Sequence, residues 1–188
     1  MQTDALLAEE IRQVYIESDL LYSQLEVEQA INRMAAEITE ALGEQDPVLF
    51  CVMNGGLVIT GQLLTRLNFP LQVSYLHATR YRNTTSGHEL EWKVPPMIDF
   101  TGRPVLIIDD ILDEGHTLAE ILDFCRAQGA SRVYSAVLIN KLHERKARPD
   151  LQAEFVGLEI EDRYIFGYGM DYKGYWRNAP GIYAVKGM

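Results

Sequence analysis

The chain has 188 residues, enough for one compact domain with a substantial apolar core. Its formal net charge is −10 at pH 7, which argues against generic binding to nucleic acid or to an anionic membrane surface. No apolar run is long enough for a membrane helix, and the N-terminus lacks the basic start of a secretory signal, so we expect a cytoplasmic protein.

Cys51 and Cys125 are the only cysteines. One lies in an apolar strand pattern and the other on an apolar helix face, so we expect buried free thiols rather than a disulfide. The sequence has no Cys/His spacing typical of a zinc site.

The first elements predicted along the chain are helices. Residues 5–22 look helical, without a clear apolar stripe. Ser23-Gln24-Leu25-Glu26 has the form of a capping box, which marks a helix start. The apolar residues after it recur at helical spacing as far as Gly43: Val27, Ile31, Met34, Ile38 and Leu42. We interpret this second helix as core packing without chemistry.

A buried strand is predicted over residues 47–53 and a helix over residues 57–67. Asn54-Gly55-Gly56 joins them and completes a strand–turn–helix unit. Its glycines are compatible with an ordinary turn, and equally with a loop whose backbone approaches a phosphate closely.

The next predicted strand, residues 71–78, leads into a polar segment, residues 79–89, that is rich in turn formers. Long polar loops inside compact domains are often active-site lids. Arg80 and Arg82 would bring positive charge to an anionic ligand. The alternative is a solvated hairpin tip.

The most informative stretch begins at Val105, where four apolar residues run straight into Asp109 and Asp110, and Asp113 follows. An apolar run without alternation is typical of a strand covered on both faces, as in a parallel sheet. The paired carboxylates carry hard oxygen ligands that suit Mg²⁺. Adjacent acids also follow a strand in receiver domains, but there they normally close the first strand, whereas about half of this chain precedes them.

A tight turn and a helix follow this acidic strand end. Gly115 permits a positive φ and close approach of the backbone to a ligand. The N–H groups of residues 114–117 would then line one hollow at the positive end of a helix, which favours an anion. Thr117 either adds a hydroxyl donor or caps the helix. The helix is predicted by apolar spacing and should stop near Gly129: Leu118, Ile121, Leu122 and Cys125.

Further strands are predicted at residues 132–140 and 155–158. Lys141 follows the first, and the carboxyl end of a strand faces the ligand crevice of an open α/β sheet; a plain surface position is equally compatible. Residues 161–172 are dense in aromatic side chains, which would stack on a planar base or fill the core. The alternation predicts an α/β fold with a doubly wound, mainly parallel sheet and the acidic strand near its centre.

Residues 105–117 resemble the signature of the type I phosphoribosyltransferases in order: four apolar residues, two acids, two apolar residues, Asp113, the variable Glu114, Gly115, any residue and Thr117. Most of the chain, roughly residues 25–180, is similar to the hypoxanthine-guanine branch of this family.

This resemblance implies a single domain over residues 1–188, with a core at about 25–160 and a small hood made mainly of residues 161–188 with an N-terminal contribution. It implies Mg²⁺-dependent transfer of 5-phosphoribosyl from phosphoribosyl pyrophosphate to N9 of hypoxanthine or guanine. The alternatives are the same chemistry on xanthine or another 6-oxopurine, and a regulator that senses the activated sugar. Relatives are dimers or tetramers, so a homodimer or homotetramer is expected.

On the sugar side, the resemblance implies that Asp109 and Asp110 hold the ribose hydroxyls and Mg²⁺. The 5-phosphate would be held by the loop that follows: Glu114, Gly115, His116 and Thr117. Asp113 would be the general base that manages the purine N7 proton, or an electrostatic stabiliser of the positive ribose.

On the pyrophosphate side, the resemblance implies contacts from Asn54, Gly55 and Arg177. The corresponding loop of the relatives often contains a cis peptide, and it commonly has Lys where this chain has Asn54. Arg80 and Tyr81 match the start of a lid that closes over the active site.

On the base side, Lys141 matches a lysine that hydrogen-bonds the oxygen at purine C6. Tyr164 matches the ring that stacks on the purine, and Ile165 the residue whose backbone reads the base edge. Asp171 matches a carboxylate near the base and a second metal, so it joins Asp109 and Asp110 in the expected Mg²⁺ set.

Overall fold

The computed structural model describes the backbone of residues 2–80 and 90–187. The helices in these ranges are α1 (Gln2–Glu17), α2 (Gln24–Leu42), α3 (Leu57–Leu64) and α4 (His116–Ala127). The strands are β1 (Asp19–Ser23), β2 (Val48–Val52), β3 (Gln72–Arg80), β4 (Leu90–Val94), β5 (Pro104–Leu112), β6 (Arg132–Leu142), β7 (Phe155–Glu161), β8 (Ile165–Phe166) and β9 (Gly181–Ala184). None of the helices in these ranges is long and apolar enough to cross a membrane.

β5 lies near the centre of a six-stranded sheet with the order β4-β3-β2-β5-β6-β7. Its strands run parallel except β4, which is antiparallel to β3 at one edge. The predicted α/β fold, its mainly parallel sheet and the central place of the acidic strand are therefore confirmed.

Both faces of the sheet are covered, which explains the continuous apolar run of β5. Leu106 and Ile108 belong to the core cluster shared with α2 and α3, whereas Val105 and Ile107 belong to the cluster shared with α4. Because successive side chains of a strand point to opposite faces, a strand buried on both faces needs an apolar residue at every position. Both cysteines are buried and free, as expected.

The capping box at the start of α2 is confirmed. The Glu26 N–H donates to Ser23 Oγ at 3.4 Å, and the Ser23 N–H donates to Glu26 Oε2 at 2.8 Å. The helix ends at Leu42, with Gly43 as its C-cap. The spacing of its buried face is the helical spacing that the sequence shows.

The interpretation of residues 5–22 as one helix is wrong for its last part. Residues 19–23 form β1, which pairs with β9 and, through it, joins β8 in a small antiparallel sheet. The pairing partner lies near the other end of the chain, so no local pattern indicates it. α1 packs on the same C-terminal segment, where Trp176 Nε1 donates to the Ile11 carbonyl at 2.6 Å.

Several element ends differ from those predicted. β3, β6 and β7 continue to Arg80, Leu142 and Glu161, and α3 ends at Leu64. β4 is not predicted from the sequence. It pairs with the last residues of β3, and this pairing explains why β3 continues beyond its predicted end. Tyr81 lies outside the described residues, as does the side chain of Arg80.

Candidate active site

The carboxyl ends of the central strands border a cavity of about 500 Å³. Most of the predicted site residues line it: Asn54, Gly55, Asp109, Asp110, Asp113, Thr117, Lys141, Tyr164, Ile165, Asp171 and Arg177. Glu114 and Gly115 precede α4 and His116 begins it, and of residues 114–117 only Thr117 is in the lining. Parallel strands direct their carboxyl ends to one edge of the sheet, which is why residues so distant in sequence meet here.

Asp109 and Asp110 place two carboxylates side by side at the end of β5. The Asp110 N–H donates to Asp109 Oδ1 at 2.9 Å, and Asp110 is only 7% exposed. Burial raises the pKa of both carboxyls, and repulsion from Asp110 raises the pKa of Asp109 further. A bound cation would relieve both the desolvation and the repulsion.

The turn after β2 lies against this pair. The Met53–Asn54 peptide bond is cis, as the resemblance implies. A Cβ at position 55 would collide with the carboxylate of Asp110, so the close approach requires Gly55. Asn54 has no charge, so this loop offers a ligand its amide side chain and backbone rather than an ammonium.

The turn before α4 has the positive φ at Gly115 that the sequence predicts. Gly115 is the N-cap residue with φ of +78°, and a Cβ there would collide with Leu112 and Leu151. The helix begins at His116, so Thr117 lies in its first turn on the cavity wall. The first N–H groups of an α-helix have no carbonyl partner within the helix, and its dipole favours an anion there.

Glu114 and His116 contact each other within this loop, with His116 Nε2 3.5 Å from Glu114 Oε2. The Glu114 carbonyl accepts the N–H of Ala147 at 2.7 Å. The loop before α4 is therefore attached to the segment that follows β6.

Asp113 has a different environment from the acidic pair. Lys141 Nζ donates to Asp113 Oδ2 at 3.0 Å, and His143 Nε2 lies 2.7 Å from Asp113 Oδ1. Burial alone would raise the pKa of Asp113, but the hydrogen bonds and charges of Lys141 and His143 outweigh burial and lower that pKa.

Lys141 lies between two carboxylates. Its Nζ is 3.0 Å from Asp113 Oδ2 and 3.6 Å from Asp162 Oδ1, and Asp162 also pairs with Arg145 at 2.6 Å. Asp113, His143 and Asp162 have potential ligand atoms within 4.8 Å of one another. The Lys141 ammonium already supplies positive charge to this group, so a second cation gains little there.

Lys146 fixes the backbone beneath this cluster. Its ammonium donates to the carbonyls of Leu112, Asp113 and Lys141 at 2.8 to 2.9 Å, and to Asn140 Oδ1 at 3.1 Å. One half-buried cation therefore joins the ends of β5 and β6, with the three donors of its ammonium shared among these four acceptors.

Arg177 stands between Asp110 and Asp171. Its Nη2 lies 2.5 Å from Asp171 Oδ1, and its Nη1 lies 4.0 Å from Asp110 Oδ2 and donates to the Gly169 carbonyl at 2.5 Å. Asp171 is further fixed by the N–H of Gly174, which donates to its Oδ2 at 2.7 Å.

The residues present fit a divalent cation at Asp109 and Asp110. Mg²⁺ commonly takes one or two carboxylates and completes its shell with substrate oxygens and water. Two mutually repelling carboxylates, of which Asp110 is buried and has Arg177 at 4.0 Å, supply that negative charge. Asp171 is already paired with Arg177 and accepts the Gly174 N–H, so its carboxylate is satisfied by the protein to a greater degree than the Asp109–Asp110 pair.

Tyr164 presents a ring to the cavity. It is 43% exposed, and its edge-to-face partner Tyr172 lies 5.7 Å away between ring centres. Ile165 follows in β8 and is buried. An exposed ring face beside Lys141 and Asp171 suits a planar base with polar edges.

Sequence reasoning missed His77 and His143. His77 is near the carboxyl end of β3 and lines the cavity. His143 follows Lys141 by two residues just after β6, and a strand period of two places such residues on one side. That spacing was the available signal for His143.

A larger cavity of about 680 Å³ lies beyond Lys141, along the ends of β6 and β7. Among the described residues that line it are Lys146 and Glu159, but neither Asp109 nor Asp110. It lacks the acidic strand end and the start of α4, so the chemistry is assigned to the smaller cavity.

Residues 17–173 match the family model for the phosphoribosyl transferase domain. A hypoxanthine-guanine-xanthine phosphoribosyltransferase of Tritrichomonas foetus is 32% identical over 89% of this chain and 91% of its own length. A hypoxanthine-guanine phosphoribosyltransferase of Bacillus subtilis is 31% identical over 89% of this chain and 92% of its own.

The fold is also similar to solved structures. The crystal structure of a hypoxanthine-guanine phosphoribosyltransferase from Bacillus anthracis superposes with a TM-score of 0.81 at 26% identity. The superposition covers 89% of this chain and 97% of that one.

Proposed function

We propose, because the chain belongs to the phosphoribosyltransferase family and to its hypoxanthine-guanine branch, that it transfers 5-phosphoribosyl from phosphoribosyl pyrophosphate to N9 of hypoxanthine or guanine. The products are the nucleoside monophosphate and pyrophosphate. The observation that carries the proposal is one cavity that joins an acidic strand end, a helix N-terminus, a buried lysine and an exposed aromatic ring.

The sugar occupies the wall made by β5 and α4. Asp109 and Asp110 accept hydrogen bonds from the ribose hydroxyls, while the loop that ends at Thr117 holds the 5-phosphate with backbone N–H groups. Holding the ribose at both ends orients C1 toward the base and removes much of the entropic barrier.

Asp109 and Asp110 are the residues that would hold Mg²⁺, and Asp171 would hold a second ion. When bound, Mg²⁺ neutralises the charge that develops on the departing pyrophosphate. Asn54, Gly55 and Arg177 border the same region and contact the pyrophosphate oxygens, with Arg177 as the cationic contact.

The base lies between Tyr164 and Lys141. The Tyr164 ring stacks on the purine, the backbone of Ile165 reads the base edge beside it, and Lys141 donates to the oxygen at C6. Lys141 then turns from Asp113 toward the substrate, which removes a donor from the Asp113 carboxylate and makes it a stronger base. Asp113 Oδ2 is thereby free to accept a proton from the purine.

Arg80 and Tyr81 complete the proposal as the start of a lid between β3 and β4. Closure would exclude water, which competes with the purine for the activated sugar. We also propose that the protein is cytoplasmic and acts as a homodimer or homotetramer.

The test is pyrophosphate release from phosphoribosyl pyrophosphate with hypoxanthine, guanine, xanthine or adenine, each with Mg²⁺ and with chelator. We expect turnover with hypoxanthine and guanine only in the presence of Mg²⁺. Absence of turnover with every base would contradict the transferase assignment. A matched reaction without base measures hydrolysis of the donor and is subtracted.

Xanthine is the second candidate base, because the Tritrichomonas foetus relative, at 32% identity, has xanthine in its name. Lys141 and Tyr164 suit any 6-oxopurine, so they do not separate xanthine from the others. The xanthine arm of the same assay decides between the two ranges of substrate.

A further inference from the structure

We propose that His143 is a positioning residue that anchors one oxygen of Asp113 and leaves the other oxygen for the purine. The inference rests on the proposed function, since it assigns Asp113 to proton transfer. The side chain of His143 is outside the lining of the active-site cavity, but it contacts Asp113, the proposed general base, directly.

The geometry of the imidazole defines its role. The His143 side chain is only 5% exposed, and its Nδ1 accepts the N–H of Arg145 at 3.0 Å. In a neutral imidazole one ring nitrogen accepts and the other donates. The Arg145 bond therefore assigns the proton to Nε2, which donates to Asp113 Oδ1 at 2.7 Å.

The two oxygens of Asp113 thus have different partners. Oδ1 is bound to His143, which is buried and held by its own loop, whereas Oδ2 is bound to Lys141, which lines the cavity. When Lys141 turns to the base, His143 continues to hold the carboxylate. Lys146 holds the backbone carbonyl of Asp113 at 2.8 Å, so main chain and side chain are fixed separately.

Charged groups from each element that packs against His143 lie around it, and they would influence the pH at which Asp113 ionises. They are Asp113 after β5, Lys141 in β6, Arg145 and Lys146 in the following loop, and Asp162 after β7. The carboxylates and cations alternate in space, so the carboxylate of Asp113 is stabilised in its ionised form. Removal of the His143 donor would make Asp113 easier to protonate.

Two substitutions separate anchoring from loop structure. In His143→Gln the amide nitrogen can reach the place of Nε2 and still donate to Asp113. In His143→Asn the amide oxygen can take the place of Nδ1 and still accept from Arg145, but the side chain is too short to reach Asp113. Glu144→Gln, at an exposed position of the same loop, is the control.

We expect His143→Asn to lower kcat about tenfold, the effect of losing one hydrogen bond to a charged group. KM for phosphoribosyl pyrophosphate should stay within about twofold, since that ligand lies on another wall of the cavity. The acid limb of its kcat–pH profile should move to higher pH. His143→Gln should restore most of kcat and the wild-type acid limb, and Glu144→Gln should match wild type throughout.

Two results would overturn the inference while wild type remains active: wild-type kcat in His143→Asn, or a loss of kcat in His143→Gln that equals or exceeds the loss in His143→Asn. Thermal unfolding of each variant checks that the fold is intact. When His143→Asn and His143→Gln have the same Tm, a difference between their kcat values reports the anchoring of Asp113. Inactive wild-type protein would instead contradict the proposed function.

Discussion

Asp110 and Asp113 lie three residues apart, but their carboxylates have opposite environments. Asp109 and Asp110 are crowded together at the buried strand end, and burial raises the pKa of both. Asp113 hydrogen-bonds Lys141 and His143, and its pKa is lowered. Arg177, 4.0 Å from Asp110, only partly offsets the charge of the first pair, so a bound cation would stabilise that pair further, whereas Asp113 has hydrogen-bond donors from the protein itself.

This difference separates two tasks within one cavity. A carboxylate pair with unrelieved repulsion gains free energy when a cation arrives, so it suits metal and sugar binding. A carboxylate with its own donors changes basicity only when a donor leaves, so it suits proton transfer that begins on substrate binding. Substitution of one carboxylate at a time should therefore give different effects in the two groups.

The largest effect is expected from Asp113→Asn. Turnover should fall by roughly 10²-fold or more, because the base is lost, while binding of the nucleotide product changes little. The measurements are kcat and the product Kd. Asp123→Asn is the control, since Asp123 also has two basic partners, Arg126 and Arg148, but lies on α4 outside the cavity lining. Unchanged turnover in Asp113→Asn would assign the proton transfer to another group.

Lys141→Met should weaken purine binding by about 1.5–3 kcal/mol, the range for a hydrogen bond from a charged group. Binding of phosphoribosyl pyrophosphate should be nearly unchanged, because Lys141 lies on the base side of the cavity. Equilibrium binding of each ligand separately checks this. Equal losses for both ligands would remove the base-reading role and the donor exchange with Asp113.

Asp109→Asn should stabilise the metal-free protein, although it removes a proposed metal ligand. The amide keeps the Oδ1 acceptor for the Asp110 N–H but removes the repelling charge, so the metal-free protein should be more stable and its Tm higher at pH 7. The Tm increase that Mg²⁺ produces in wild type should shrink in the variant. Thermal unfolding with Mg²⁺ and with chelator measures both, and a lower metal-free Tm would contradict the account of the pair.

The smallest effect is expected on the free energy of unfolding as the pH is lowered. Because the pKa of Asp113 is lowered on folding, its ionised form contributes stability that is present above its usual pKa of about 3.9 and is lost as pH falls through the lowered value. The contribution should stay below about 1 kcal/mol, since the side chain is 42% exposed and its pairs are screened. Urea unfolding of wild type and Asp113→Asn should therefore differ at pH 7, and the difference should shrink progressively as pH falls below about 3.9. A difference that grows in acid would contradict the sign.

The sequence was informative where structure is local. The apolar run of β5, the capping box of α2 and the glycine turn before α4 each depend on neighbours within a few residues, and each is confirmed. Resemblance to a family added the ligands and the roles, which remain proposals for the individual side chains.

The misses have a common cause. The β1 strand depends on β9, and the extension of β3 depends on β4, so neither follows from periodicity within one segment. The only sequence signal for His143 is its spacing of two residues from Lys141. Its partner Asp113 is 30 positions earlier in the chain, so no local pattern connects the two.

By itself, the sequence determined which segments alternate as strands and helices and where acids and glycines end a strand, because hydrophobic period and turn chemistry act over short distances. Only the tertiary structure decided which charges face one another. Within the described part of the chain, Asp110 has Arg177 at 4.0 Å and no lysine ion pair, whereas Asp113 meets Lys141 and His143, because packing of β5 against β6 brings those side chains to one point.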